Sequence, residues 1–193
     1  MARLEVRLAG EGGQGLVLAG LILTEAAAIY GGKNATMTQS YGSQQRGGPS
    51  RSEVIISDEE IDYPKVLAAD ILLCLIQDAY DAHRHQVREN GIIVVDGGEV
   101  KADDDSRVVA VPIARVTREA TGNLLAISLT ALGALQELTA LVSREALLAA
   151  VRQRAPRGTE EVNLRAVEAG MAAAKSLKAG NIKAFPSIPV TEV

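Results

Sequence analysis

The sequence predicts an α/β fold: a single doubly wound, mainly parallel sheet with helices on both faces, a helical C-terminal third and an extended tail. Short apolar runs alternate with helical patterns over the first two thirds of the chain, and a glycine cluster joins the first run to the first helix. Two later runs are almost wholly apolar, as in strands that a parallel sheet buries on both faces. The 193 residues suffice for one such domain, which we assign to residues 1–180, with the tail at 181–193.

The first strand is predicted over residues 3–9, where polar and apolar side chains alternate. The helix that follows, over 16–29, is apolar at almost every position, with Thr24 and Glu25 as the exceptions. A helix that is apolar on all sides must be covered on both sides. We therefore expect either a central helix of the domain or an interface between subunits.

The second strand is predicted over 34–39 and the third over 53–58, with a long loop rich in Gly, Ser, Gln and Pro between them. Loops of this length inside compact domains are usually functional or disordered. A turn and a short helix are predicted over 59–69, and an amphipathic helix is predicted over 77–90, which Gly91 ends.

Further strands are predicted over three segments: 70–76, 92–97 and 107–113. Helical patterns fill most of the last third in four segments: 114–122, 123–142, 144–154 and 159–180. Thr159 is the expected N-cap of the last helix, whose first turn is acidic and whose last turn is basic. The tail contains two prolines and no helical pattern, so we expect it to be extended.

Composition excludes several classes of function. A net charge of −4 and an aromatic content of 3% argue against a general nucleic-acid binder. The single cysteine, Cys74, excludes an internal disulfide and a cysteine-ligated cluster made by this chain alone. Glu5 and Arg7 interrupt any signal-peptide core, and the apolar segment 123–142 contains polar residues and is expected to be a buried helix. We therefore expect a cytoplasmic protein.

The glycine cluster fits the pattern G-x-G-x-x-G at Gly10, Gly12 and Gly15. Such a strand-to-helix turn directs helix amides and the positive end of the helix dipole at an anion. A dinucleotide site also needs an acidic residue about 20 positions later, at the end of the second strand. That strand offers Thr36 and Thr38 instead, which leaves three interpretations open: a dinucleotide, a phosphate or carboxylate of another ligand, or no ligand.

The long loop strengthens the case for an anion site, since we expect it to leave the second strand at the same sheet edge as the glycine turn. It contains Arg46 and Arg51, and Arg46 could hold a phosphate or carboxylate in a bidentate fork; a solvated loop with two incidental arginines is the plain alternative. The candidate cofactor-binding residues are therefore the glycines and polar residues of the turn and the loop: Gly10, Gly12, Gly13, Gln14, Gly15, Thr38, Ser40, Tyr41, Arg46, Gly47, Gly48 and Arg51.

We predict no catalytic residue and no metal ligand. His83 and His85 are two positions apart on a predicted helix and therefore face different ways. Asp96 follows an apolar strand and is expected to bond loop amides, and Cys74 is expected to be an inert core residue. The chain has no nucleophile elbow, P-loop or H-E-x-x-H motif.

Four motifs occur in one order: "GEGGQG", "TQSYGSQQRGGPSRSEVIIS", "IDYPKVLAADILLCLIQDAY" and "GIIVVDGGEV". Together they resemble the gamma subunit of the 2-oxoacid:ferredoxin oxidoreductases over about residues 3–140. The segment from "QSYG" to "RGG" is the specific part, and "TGNLLAISLTALGAL" is similar to a late helix of that family. This chain departs from the family pattern at Ser128, where Asn is commoner, and at Ser43 and Gln44, which replace Pro-Glu.

The resemblance implies a Rossmann-like, non-catalytic gamma subunit. Enzymes of that family decarboxylate a 2-oxoacid on thiamine diphosphate, pass electrons through iron–sulfur clusters to ferredoxin and form an acyl-CoA. This chain lacks a thiamine G-D-G…N motif and any C-x-x-C, so we expect it to supply neither cofactor and to be inactive alone. The family's gamma domain is linked to engagement of CoA.

The expected partners are alpha and beta subunits, with delta as a further candidate, and ferredoxin through the complex; a homo-oligomer is open for the isolated chain. "SQQRGGPSRSEV" and "QDAYDAH" look most like the 2-oxoglutarate type, although pyruvate, ketoisovalerate and indolepyruvate enzymes use similar subunits. The alternative is a stand-alone Rossmann-type nucleotide-binding oxidoreductase.

Overall fold

The computed structural model describes residues 3–41 and 48–178 of the chain. The described residues form one six-stranded sheet: β1 Arg3–Glu11, β2 Asn34–Tyr41, β3 Pro49–Ser57, β4 Ala69–Cys74, β5 Val87–Asp96 and β6 Val108–Val111. The order across the sheet is β2-β3-β1-β4-β5-β6. β3 is antiparallel to both of its neighbours, and the pairs on the other side of β1 are all parallel. The predicted class, an α/β fold with a mainly parallel sheet, is confirmed.

The helices lie on both faces of the sheet, as predicted. They are α1 Leu16–Glu25, α2 Gln77–His83, α3 Ile113–Thr121, α4 Ile127–Thr139, α5 Arg144–Arg154 and α6 Glu160–Lys178. One face carries the main apolar core, to which every helix except α2 contributes, and α2 packs on the other face through Ala79 and Tyr80. The predicted tail at 181–193 lies outside the described residues.

The long polar segment after β2 is the connection of a β-hairpin. β2 and β3 pair without a register shift from Asn34↔Ser57 to Tyr41↔Ser50. Ser50 in turn pairs with Gly10 of β1, so the connection starts at the same sheet edge as the glycine turn, as expected. Because β3 starts at Pro49 rather than at the predicted residue 53, Arg51 lies in a strand and not in the loop.

Two predicted helices differ in the structure. Residues 59–68 form bends and irregular structure rather than a turn and short helix, and Ala69 belongs to β4. Helix α2 ends at His83, so that residues 87–90 of the predicted helix belong to β5. Gly91 is therefore inside a strand. A Cβ atom at Gly91 would lie 2.8 Å from the carbonyl oxygen of Asp70, which shows how closely the β4 backbone approaches β5 there.

Helix α1 is covered inside the domain on one side, where Leu16, Ala19, Ile22 and Leu23 are almost wholly buried against the sheet. Residues 17, 18 and 21 on its outer side are only partly buried. These observations favour a helix of the domain core. An interface on its outer side stays a prediction.

Helices α4 and α6 are in unusually close contact. A Cβ atom at Gly133 would lie 2.0 Å from the carbonyl oxygen of Val167, and one at Gly170 would lie 1.9 Å from that of Thr130. Every α4 position except Glu137 is buried, as predicted for this apolar segment. Within the described ranges, no helix has both the length and the apolar character needed to cross a membrane.

We expect Gly170→Ala to lower the free energy of unfolding by about 1–3 kcal/mol, because the new methyl group forces two backbones apart. Helix propensity alone would favour alanine over glycine by about 1 kcal/mol, so the close contact reverses the expected sign. Urea titration followed by circular dichroism measures the change. Ser176→Ala, on the exposed side of α6, is the matched control and should stay within about 0.5 kcal/mol of wild type. A Gly170→Ala midpoint above that of wild type would contradict the close packing.

Candidate functional site

A cleft of about 770 Å³ opens at the carboxyl end of β1. It lies on the sheet face that α2 covers. Its lining combines the ends of two strands with one side of α2 and two single residues: 9–11, 49–51, 76–79, Ala82, His83, Ser40 and Glu99. Ligands of open α/β sheets bind outside the carboxyl ends of the strands, so this cleft is the candidate site.

The cleft brings together three of the residues predicted from the sequence, namely Gly10, Ser40 and Arg51. Thr38 and Tyr41 lie in the same strand as Ser40, β2, and Thr38 does not line the cleft. The other described candidates form the turn next to the cleft or the strand entry beside it, without lining it: Gly12, Gly13, Gln14, Gly15 and Gly48. The predictions for Arg46 and Gly47 fall outside the described residues.

The glycine turn is closed by its own contacts. Gly13 and Gly15 have φ angles of +100° and +80°, which side chains of L-residues rarely adopt. The Gln14 side-chain oxygen accepts the Glu11 amide at 2.8 Å, and it occupies the space where a Cβ atom at Gly10 would lie. The glycines and Gln14 are therefore needed for the turn itself, whatever the turn binds.

The turn and the hairpin connection are joined by one backbone hydrogen bond, in which the Gly12 amide donates to the Gly48 carbonyl oxygen at 2.8 Å. The second strand of a dinucleotide-binding fold lies beside the first. Here β3 occupies that place, so the end of β2 is one strand further from the turn. The topology therefore disfavours a dinucleotide at this turn.

A buried ionic cluster lies on the same sheet face as the cleft. The Arg7 Nε–H donates to Glu53 Oε1 at 2.8 Å, and Arg51 Nε lies 3.5 Å from the same oxygen. Arg7 also donates to the Gln86 side-chain oxygen at 2.5 Å and to the Val66 carbonyl oxygen at 3.2 Å. The side chains of Arg7 and Glu53 are 4% and 11% exposed, whereas that of Arg51 is 35% exposed at the cleft. Two guanidinium groups thus share one carboxylate.

The positive charges beside the cleft act on His83, which lines it. Burial lowers the pKa of His83 below its ordinary value, and the charges of Arg7 and Arg51 lower it further. The imidazole is therefore neutral at physiological pH. Its Nδ1 atom has no hydrogen-bond partner among residues 3–41 and 48–178.

Two residues outside the cleft have the structural environments expected for them. Asp96 accepts the amides of Gly98 and Ala114 at 3.1 and 2.8 Å, and burial raises the pKa of this carboxyl. Cys74 is fully buried, and burial raises the pKa of its thiol well above the usual range, so it is not a nucleophile. The described residues contain no group of three or more His, Cys, Asp and Glu side chains placed to hold a metal ion.

The sequence analysis missed the α2 side of the cleft, including Gln77, Asp78 and His83. The available signal was the apolar strand 70–76 followed directly by a helical pattern. Because parallel strands end at one sheet edge, a helix that starts there begins close to the glycine turn. What the sequence lacked was the adjacency of β4 to β1, which comes from the sheet order.

Comparisons with known proteins agree with this topology. The family model described as pyruvate ferredoxin/flavodoxin oxidoreductase matches residues 5–173. The 2-oxoglutarate synthase subunit KorC of Methanocaldococcus jannaschii is 46% identical over 179 residues, covering 91% of this chain and 96% of the relative.

Two solved structures share the fold. The gamma subunit of a keto/oxoacid ferredoxin oxidoreductase from Geobacter sulfurreducens PCA matches with a TM-score of 0.82 and 40% identity, over 91% of this chain and 98% of that one. A 2-oxoglutarate:ferredoxin oxidoreductase from Magnetococcus marinus, with 2-oxoglutarate, coenzyme A and succinyl-CoA bound, matches with a TM-score of 0.85 at 23% identity. This chain is covered completely and spans 34% of that one, and the likeness shows the fold alone.

Neither the family model nor these relatives support the alternative of a stand-alone nucleotide-binding oxidoreductase. The family predicted from the sequence is confirmed. The chain belongs to the pyruvate ferredoxin/flavodoxin oxidoreductase family, as the gamma-type subunit of a 2-oxoacid:ferredoxin oxidoreductase.

Proposed function

We propose that this chain is the gamma subunit of a complex that oxidatively decarboxylates 2-oxoglutarate to succinyl-CoA and reduces ferredoxin. The observation that carries the choice of 2-oxoacid is the 46% identity to a 2-oxoglutarate synthase subunit over nearly the whole of both chains. The ketoisovalerate and pyruvate subunits among the relatives are less similar, at 34% and 26% identity for two Methanothermobacter marburgensis proteins.

We infer that alpha and beta subunits, and a delta polypeptide where one exists, provide thiamine diphosphate and the iron–sulfur clusters. A cluster needs several thiolates, and this chain has one cysteine, which is buried in the core. The described residues that line the cleft include no cysteine. The role left for this subunit is to bind and orient a part of the substrate or of CoA.

The cleft is our candidate for contact with an anionic group of CoA. Arg51 donates no hydrogen bond to a described residue, and its ion pair with Glu53 is long, at 3.5 Å. Its remaining N–H donors, which have no partner in the described part of the chain, could take a phosphate in a bidentate fork, with the Ser40 hydroxyl on the same lining. Exposed carboxylates at Glu11, Asp78 and Glu99 surround the cleft in water, where their charges are screened.

The isolated chain should show no 2-oxoglutarate-dependent reduction of methyl viologen, because it lacks the groups that carry the reaction. Co-expression with its partner subunits should give activity that requires CoA and prefers 2-oxoglutarate over pyruvate and 2-oxoisovalerate. Turnover by the purified chain alone would refute the subunit role. A complex that prefers pyruvate would refute the choice of 2-oxoacid.

Arg51→Ala in the assembled complex should raise KM for CoA about tenfold or more, because a charge-assisted hydrogen bond contributes about 1.5–3 kcal/mol and 1.4 kcal/mol is a factor of ten. The value of kcat and KM for 2-oxoglutarate should change little. KM for CoA in Arg51→Lys should lie between the values of wild type and Arg51→Ala, since lysine keeps the charge but loses the bidentate geometry. Arg115→Ala, on exposed α3, is the control. An unchanged KM for CoA in Arg51→Ala would exclude this cleft as the CoA contact.

A further inference from the structure

We propose that Glu53, held by Arg7, is the positioning residue that fixes the Arg51 guanidinium for binding a phosphate in the cleft. This inference rests on the proposed contact between the cleft and CoA. It concerns a residue that no sequence motif for catalysis or binding identified, and that does not line the cleft itself.

The carboxylate of Glu53 is shared by Arg7 and Arg51 because of where the strands place them. Glu53 and Arg51 are two positions apart in β3 and therefore point to the same sheet face. Arg7 lies directly opposite Glu53 in β1, and Ala9 lies opposite Arg51. The small side chain of Ala9 leaves the space beside Arg51 open towards the cleft, while Arg7 and Glu53 close the space behind it.

Glu53 is held in place by Arg7, which is itself fixed by several hydrogen bonds. Arg7 binds Glu53 at 2.8 Å and is tied to two other segments through the Gln86 side chain and the Val66 carbonyl. The Thr38 Oγ1 hydroxyl lies 3.5 Å from the other oxygen of Glu53. Because Arg7 and Glu53 are nearly inaccessible, neither can relax freely into water. Glu53 thus presents Oε1 to Arg51 from a fixed position.

The charges of Arg7, Arg51 and Glu53 do not cancel. Arg7 and Arg51 carry two positive charges against the one negative charge of Glu53, so the cluster keeps an excess of one positive charge beside the cleft. The two arginines are also the main charges that act on His83, and both lower its pKa, whereas the Glu53 charge raises it less. An anion bound at Arg51 would complete this cluster, as buried charges need partners.

Positioning and simple charge neutralisation predict opposite results for Glu53→Gln in the assembled complex. Removing one negative charge beside an anion site should tighten CoA binding if Glu53 only neutralises Arg51. If Glu53 holds Arg51 in place, the freed guanidinium loses its orientation. We then expect KM for CoA to rise about threefold to tenfold, while kcat and KM for 2-oxoglutarate stay the same.

The second half of the experiment is a double-mutant cycle with Arg51→Ala. If Glu53 acts through Arg51, adding Glu53→Gln to Arg51→Ala should change KM for CoA by less than about 1.5-fold. A general structural defect would raise KM equally in both backgrounds. Where Glu53→Gln prevents folding, Glu53→Asp, which keeps the charge for Arg7 but shortens the reach towards Arg51, is measured in the same two backgrounds with the same expectation.

Glu5→Gln is the matched control. Glu5 lies in β1, and like Glu53 it is a buried carboxylate on this sheet face. Its Oε1 atom lies 2.8 Å from Arg3 Nε and 3.7 Å from Arg88 Nη2. It lies at the opposite end of β1 from the cleft, so its loss should lower stability without changing KM for CoA. A fall in KM for Glu53→Gln, no change, or an equal rise in both backgrounds would overturn the positioning role. An unchanged KM in Arg51→Ala would instead overturn the proposed CoA contact.

Discussion

The structure depends on the pairing of β3 with β1. The two strands are hydrogen-bonded over nine residue pairs, from Arg3↔Ser57 to Glu11↔Pro49, and the register places Glu53 opposite Arg7 and Arg51 opposite Ala9. The same register brings Gly48 to the glycine turn, where its carbonyl accepts the Gly12 amide. A shift by one residue would turn every one of these side chains to the other sheet face. The cleft, the ionic cluster and the anchoring of the turn therefore share one origin.

The sheet face that carries Arg7 and Glu53 is partly covered by the irregular segment after β3. The main core on the other face is apolar, and α2 packs on the polar-side face near the carboxyl end of β1 and on the apolar residues of β4 and β5. Over β3, the irregular segment after Ser57 supplies Ile61 and Val66, which pack on Ile55. Its Val66 carbonyl also accepts a hydrogen bond from Arg7. This segment thus fulfils the role of a covering helix and satisfies a buried cation, which accounts for the absence of the predicted helix at 59–69.

The sequence predicted the elements better than their arrangement. Local patterns identified all six strands, the glycine turn and the helical last third, because periodicity and turn residues are local properties. They could not show that β3 runs antiparallel between β1 and β2, since alternation has no direction. Arg51 was selected for its chemistry, yet Glu53 was not, because its significance arises from Arg7, 46 residues earlier. The end of α2 was misjudged for a similar reason: Val87 fits a helical stripe and is equally buried in β5.

The role proposed for this subunit is to hold one charge, that of Arg51, in place for a ligand of the assembled enzyme. Burying Arg7 and Glu53, with Arg51 partly exposed beside them, costs desolvation free energy that a single ion pair does not fully offset. Under the proposed role, an anion in the cleft would lower that cost, and the free energy of ligand binding would include relief of this charge imbalance. Burial, and to a lesser extent the charges of Arg7 and Arg51, lower the pKa of His83 beside this cluster. The proposed anion contact therefore gives a physical reason for a cluster that stabilises the fold little by itself.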